Sequence, residues 1–324
     1  MRSFCPWIIF ILAFSVLPVF PGPRGGLVLQ FDDGWTQWRT LIAPELARVG
    51  GKATGFINNQ YVQNGRITVE DLRALQDEFG WEIGTHTYHH FNAIRHVQQH
   101  GLNDWLEHQL LRSVRELNDA GLRVRNLVFP FNAFTPEIGQ AARAHVDSFR
   151  RADAIALAPG RRPDGSIPGT SIDLTRHLPL PLLLQWVDLA QAQGQFLFLY
   201  GHRVLPDESF VTGRVVEVTA DRLVAEAPII LPAEEDVVLV PDMARRAGAD
   251  SLRGLSVEGN QLTVTEGSPD LRTLTAPGAL FLIGPSYGTR LSDFRALLDH
   301  AAARMHFYTV AEAIRGDSPT RPEP

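Results

Sequence analysis

The chain has 324 residues, 44% of them hydrophobic and 20% charged, which is enough for one large α/β domain or two ordinary ones and argues against wholesale disorder. A formal charge of −6 excludes the basic field that a non-specific nucleic-acid binder needs. The only cysteine, Cys5, precedes the folded body, so an intramolecular disulfide and a thiolate metal site are both excluded there.

Residues 1–24 read as a targeting segment. Arg2 supplies the positive start, Pro6 to Phe20 is an almost unbroken apolar run, and Pro21-Gly22-Pro23 breaks it. The run suits a signal-peptide core and is short for a membrane span. No clean small-x-small cleavage site follows, so the alternative to a cleaved leader is an uncleaved anchor that tethers the chain to a membrane. Export to the periplasm or outside the cell is expected either way.

Leu27 to Phe31 reads as a buried strand ended by Asp32-Asp33-Gly34, and helical spacing runs from Trp35 to Val49. A strand over Ala53–Ile57 leads to a helix over Thr68–Phe79, where Asp71 stands at the capping-box position. Trp81–Thr85 reads as a third strand, Leu102–Ala120 as a long helix, Arg125–Phe131 as a fourth strand and Pro136–His145 as a further helix. A weaker strand covers Asp147–Arg151; a helix over Pro181–Gln193 precedes the apolar strand Gln195–Tyr200. Short buried strands alternating with amphipathic helices predict a mainly parallel sheet or barrel, whose ligands collect at the carboxyl ends of the strands.

Helical spacing disappears over 206–278, where Arg214–Val218, Val237–Val240 and Leu262–Thr265 alternate like strands, and this span reads as a β-rich insertion. It could cover the groove, bind a ligand, contact a partner or be a passive elaboration. Alternation resumes over 279–315 as the last part of the barrel that began over 25–205, and 316–324 reads as a frayed tail.

Three clusters sit at predicted strand ends. Adjacent carboxylates in Asp32-Asp33 can diverge, one binding a metal while the other handles a proton; alone, they also fit a turn with a capping Asp. In His86-Thr87-Tyr88-His89-His90 the i, i+4 spacing brings two imidazoles together on one helical turn, with His89 at i+3 as the competing choice. His202 follows the strand that ends in Tyr200-Gly201, where a backbone-bonded structural histidine is the bland alternative. Together, Asp33, His86 and His90 form a two-His, one-carboxylate set that leaves coordination positions open. Asp32 is then placed to accept a proton from water and His202 to donate one to a leaving group.

This order and spacing resembles the polysaccharide deacetylases with a NodB homology domain, a carbohydrate esterase family. Gln30-Phe31-Asp32-Asp33 is similar to the first motif, Thr-Phe-Asp-Asp; His86 to His90 matches His-Ser/Thr-x-x-His and favours His90 over His89; Leu197 to His202 matches the closing strand and histidine. The resemblance covers about Gly26 to His202 and resumes over Leu291–Ile314. It implies an incomplete, distorted (β/α) barrel carrying the β-rich insertion, and one divalent metal on Asp33, His86 and His90, with zinc the first choice and cobalt or nickel also suited. It implies Asp32 as general base and His202 as general acid.

The family's third motif ends in Pro-Tyr-Gly and offers a backbone N–H to the oxyanion; Phe129-Pro130-Phe131-Asn132 stands there, making the Phe131 amide the candidate donor. No arginine flanks Pro130, so Arg150 or Arg151 is the candidate to orient the catalytic Asp; Asp153 is the candidate to tune the acid histidine. The expected partner is an acetylated polysaccharide or oligosaccharide, deacetylated by metal-dependent hydrolysis. The competing readings are a deacylase of an O-acetyl ester or small amide, and a non-catalytic carbohydrate-binding protein on the same barrel.

Overall fold

The computed structural model describes residues 25–234, 236–245 and 252–315. The expected leader over 1–24 and the tail over 316–324 lie outside them. No helix among the described residues is long and apolar enough to cross a membrane.

Residues 26–201 lay down β1 (Gly26–Asp33), β2 (Thr54–Ile57), β3 (Glu82–Thr85), β4 (Asn126–Leu127), β5 (Ser148–Ala152), β6 (Leu157–Ala158), β7 (Ser166–Ser171) and β8 (Phe196–Gly201). All but β6 pair in parallel in the order β1-β2-β3-β4-β5-β7-β8, and β8 returns to β1, with Gln30 opposite Tyr200, to close the ring. The result is the expected distorted α/β barrel, one strand short of a full (β/α) barrel.

β1 is buried on both faces, which explains its nearly continuous apolar sequence. Leu27, Leu29 and Phe31 pack outward against Trp38, Leu46, Leu72 and Phe294 of the helical layer. Val28 faces the interior with Phe56, Val128, Ile167 and Phe198. Strict alternation therefore turns Asp32 into the barrel, at the carboxyl end. The helix Val69–Asp77 starts as expected: Thr68 Oγ1 accepts from the Asp71 amide at 3.1 Å, while Asp71 Oδ2 accepts from the Thr68 amide at 3.3 Å. The long helical run Leu102–Asp119 contains a wide turn over Leu106–Leu111.

After β8 come β9 (Arg203–Leu205), β10 (Val211–Val218), β11 (Arg222–Ala225), β12 (Val237–Val240), β13 (Ser256–Glu258), β14 (Gln261–Thr263), β15 (Leu280–Pro285), β16 (Gly288–Arg290) and β17 (His306–Tyr308). Six of these build an antiparallel sheet in the order β12-β15-β10-β11-β14-β13, with Val215, Leu223, Leu262, Phe281 and Ile283 in its own core. β15 corrects the boundary expected at 278. Leu280–Ile283 pair with Val211–Arg214, and β15 also pairs with β12, so the inserted module runs on to Pro285. The β1–β8 pairing already closes the barrel, leaving β15 no place between those strands. The module is seated on the barrel through Phe210, Val238 and Leu282, which cluster with Leu174 and Leu205. β16 then pairs with β9, the helix Leu291–Ala302 covers the barrel, and β17 adds in parallel beside β1.

Candidate active site

The carboxyl ends of the barrel strands deliver their polar residues to one pocket of about 660 Å³, lined among others by Asp32, Asp33, His86, His90, Phe131, Arg150, Asp173 and His202. Five non-glycine residues among those described have positive φ: Asp33 (81°), Thr87 (63°), His90 (58°), Phe131 (60°) and Asn132 (52°). Every one belongs to a segment bordering this pocket. Left-handed backbone is unfavourable for such residues and persists where surrounding structure enforces it, a pattern that marks functional sites. It has a direct geometric effect here. The turn at Asp33 ends the alternation of β1 and swings its carboxylate beside Asp32 rather than into the helical layer.

His86 follows β3 and is buried. Its Nδ1 donates to the Val128 carbonyl at 2.8 Å, which leaves the Nε2 lone pair facing the pocket. His90 Nε2 lies 3.2 Å from His86 Nε2 and 3.2 Å from Asp33 Oδ1, and His86 Nε2 is 3.6 Å from the same oxygen. The segment between the histidines is a tight loop with positive φ at Thr87 and His90, not the expected helical turn. Burial is the main force lowering the His86 pKa, to about 4, so the imidazole is neutral at pH 7. Burial opposes the Asp33 carboxylate, but the adjoining His90 ring and the nearby His202 and His86 hold its pKa well below the usual range. One anionic oxygen and two imidazole lone pairs converging within 4.8 Å are a donor set suited to a divalent cation. Asp33 Oδ1 is buried without a hydrogen bond of good geometry, a further sign that the cluster is built around a ligand.

Asp32 stands beside this cluster, fully buried and gripped by Arg150. Arg150 Nη1 donates to Asp32 Oδ1 at 2.9 Å and Nη2 donates to Oδ2, a two-pronged pairing. Burial pushes the Asp32 pKa up, and the guanidinium outweighs it, so the carboxylate is held anionic. Arg150 in turn lies 3.8 Å over the Tyr200 ring. It reaches this position because residue 169 is glycine: a Cβ there would come within 2.4 Å of Arg150 Cδ.

His202 closes the opposite wall. Asp173 Oδ2 lies 2.8 Å from His202 Nδ1, and Asp173 Oδ1 accepts from the His202 amide at 3.1 Å. Burial lowers the His202 pKa, but the Asp173 charge and hydrogen bond overcome it and push the pKa up to about 9. His202 is therefore an imidazolium at neutral pH, while His86 is not. Two histidines in one pocket are poised for opposite tasks.

Residues 21–146 match the sequence profile of the polysaccharide deacetylases. Over that span the chain is similar to the polysaccharide deacetylases. Similar solved structures include a family 4 carbohydrate esterase from Streptomyces lividans in complex with acetate, 19% identical over 55% of this chain and 79% of that one, with a TM-score of 0.40. A deacetylase solved with substrate is 18% identical over 55% and 75% of the two chains, with a TM-score of 0.39. A CE4 family pseudoenzyme from Bacillus anthracis is 18% identical over 55% and 56%, at 0.38. No curated protein sequence matches the chain.

In this barrel Asp32, Asp33, His86, His90 and His202 line one pocket, and Phe131, 65% exposed, borders it too. His89 turns away, its Nδ1 3.1 Å from Gln109 Nε2. Of the two candidate arginines, Arg150 reaches Asp32; Arg151 points out of β5 and is exposed. Asp153 is not the partner of His202. It pairs with Arg162 at 2.9 Å, because β5 has by then carried it to the barrel rim, and Asp173 at the end of β7 takes that place.

Proposed function

We propose that the chain is a metal-dependent deacetylase acting on an acetylated polysaccharide or cell-wall glycan, with an N-acetyl group as its target. The observation that carries this reading is the pairing of an arginine-held carboxylate, Asp32, with a carboxylate-held imidazolium, His202, across the Asp33–His86–His90 donor set. A divalent ion held by Asp33, His86 and His90 would supply Lewis acidity and acidify water; zinc is the first choice, and cobalt or nickel also fit the donors.

Asp32 accepts the proton of the attacking water, and Arg150 fixes the direction of its oxygens. The Phe131 N–H donates to the oxyanion that forms on the acetyl carbonyl. His202, held protonated by Asp173, gives a proton to the amine nitrogen as the carbon–nitrogen bond breaks. The products are acetate and a free amine on the glycan. Export is part of this proposal and rests on Arg2 and the apolar run Pro6 to Phe20.

The test is acetate release from acetylated glucosamine oligomers by the full chain, beside Asp32→Asn and His86→Ala. Removing the base is expected to slow release by roughly 10²–10⁴-fold. Undiminished release by Asp32→Asn would sink this assignment, and absence of release from any acetylated glycan, ester or amide would favour a non-catalytic binding role.

A further inference from the structure

The loop between His86 and His90 is gripped by a residue that lies outside the pocket. The helical run Leu102–Asp119 widens over Leu106–Leu111, and wide turns of this kind are rare and concentrate at functional sites. Gln109 sits in this one and is buried. Its backbone carbonyl accepts from the Tyr88 amide at 3.0 Å. Its side-chain Oε1 accepts from the His89 amide at 3.2 Å, which turns Nε2 toward His89 Nδ1 at 3.1 Å. With Gln109 Nε2 as the donor, His89 Nδ1 offers its lone pair to the amide and is taken out of reach of the site.

Tyr88 completes the grip. Its carbonyl accepts from the Gln60 amide at 3.1 Å, and its hydroxyl accepts from Gln63 Nε2 at 2.6 Å and from Arg112 Nη2 at 2.7 Å. The Arg112 guanidinium also lies 3.8 Å from the centre of the Tyr88 ring. The His89 ring stacks on Phe91, 5.1 Å between centroids and 16° between planes. Neither Gln109 nor His89 lines the catalytic pocket. The consequence falls on the next residue. With Tyr88 and His89 fixed against the helix, the chain turns through φ 58° at His90 and delivers that ring to 3.2 Å from Asp33 Oδ1. His89 and His90 are the same side chain one residue apart, and the contacts with Gln109 are what separate their fates.

We propose that Gln109 is a positioning residue of the metal centre, holding His89 out of the site and thereby committing His90 to it. Without that clasp, the loop must be ordered at the moment an ion binds, and two adjacent imidazoles compete for one coordination position. This rests on the metal-centre reading of Asp33, His86 and His90 and adds the residue that selects the third ligand.

The experiment measures Co²⁺ binding to the chelator-stripped full chain, by titration calorimetry and by the cobalt absorption bands. The proteins are wild type, Gln109→Met, Gln109→Glu, His90→Ala and the double variant Gln109→Met/His90→Ala. Gln109→Met keeps the length and helical preference of the side chain and removes both of its contacts with His89. It should weaken Co²⁺ binding by about 10–100-fold. Gln109→Glu keeps an oxygen for the His89 amide and should lie closer to wild type. His90→Ala should cost much less affinity in the Gln109→Met background than in wild type, because the released His89 can then take its place. Wild-type affinity in Gln109→Met, a Gln109→Glu loss as large as that of Gln109→Met, or losses that multiply in the double variant would each overturn the proposal. Multiplying losses would show that Gln109 supports the helix without choosing between the histidines. Absence of Co²⁺ binding by wild type defeats the metal-centre reading itself, and the role of Gln109 falls with it.

Discussion

Replacing Asp173 by Asn keeps the shape of the His202 partner and removes its charge. Asp173 contacts His202 twice, at 2.8 Å through the ring and 3.1 Å through the amide. Burial alone would lower the His202 pKa from 6.5; Asp173 brings it up to about 9. Without the charge, and with only the smaller push of Asp33 and Asp32 left, the pKa should fall toward its ordinary value, a change worth up to roughly 3 kcal/mol at about 1.4 kcal/mol per pH unit. At pH 8 the protonated fraction would drop from about nine-tenths to about one-thirtieth, so a reaction needing His202 as acid should slow by roughly 30-fold through protonation alone. The sign of the stability effect follows from linkage. A pKa raised by folding contributes stability that is complete below pH 6.5 and is lost as pH rises through about 9. The variant should therefore be destabilised most near pH 6 and least above pH 9. The assay is the pH dependence of acetate release, where the alkaline limb should move toward lower pH in Asp173→Asn and stay in place in Asp153→Asn. An alkaline limb that does not move in Asp173→Asn refutes the assignment of His202 as the acid.

Arg150→Met leaves the Asp32 carboxylate buried and unpaired, and should destabilise the fold by about 3–5 kcal/mol in urea denaturation. The surviving activity should have its acidic limb shifted to higher pH, since burial then raises the Asp32 pKa against only the weaker pull of His86 and His202; a wild-type limb would contradict this. Gly169→Ala puts a methyl 2.4 Å from Arg150 Cδ and 2.9 Å from Cγ, and should weaken both stability, by about 1–3 kcal/mol, and acetate release. Wild-type melting and turnover in that variant would show that Arg150 is not confined by Gly169.

The legible parts of the site are those whose strands carry a strong apolar signal. Leu27–Phe31 and Phe196–Tyr200 are buried on both faces, so the residues that follow them, Asp32-Asp33 and His202, could be placed at a strand exit from pattern alone. Asp173 had no such strand to point to it. β7 reads Ser-Ile-Pro-Gly-Thr-Ser, with a proline, a glycine and small polar residues in a fully buried position, and so lacks the periodicity of a strand. An aspartate between Ile172 and Leu174 was the remaining signal. The choice between Arg150 and Arg151 was decidable by alternation, since Phe149 packs with the outer cluster of Leu127, Phe129 and Ile138 and the next residue must face inward. The loop from His86 to His90 was not decidable: its convergence depends on positive φ at Thr87 and His90, residue types that give no sign of it. Leu280–Pro285 has the pattern of a strand in either sheet, and only its antiparallel partners assign it.

The most direct measurement is a zinc titration of chelator-stripped full chain while following acetate release from acetylated glucosamine oligomers, beside His86→Ala. Activity that is absent without metal, rises to a plateau at one ion per chain and does not return in His86→Ala is the predicted result. Full acetate release by the stripped protein, or by His86→Ala without added metal, would contradict hydrolysis at the Asp33–His86–His90 centre.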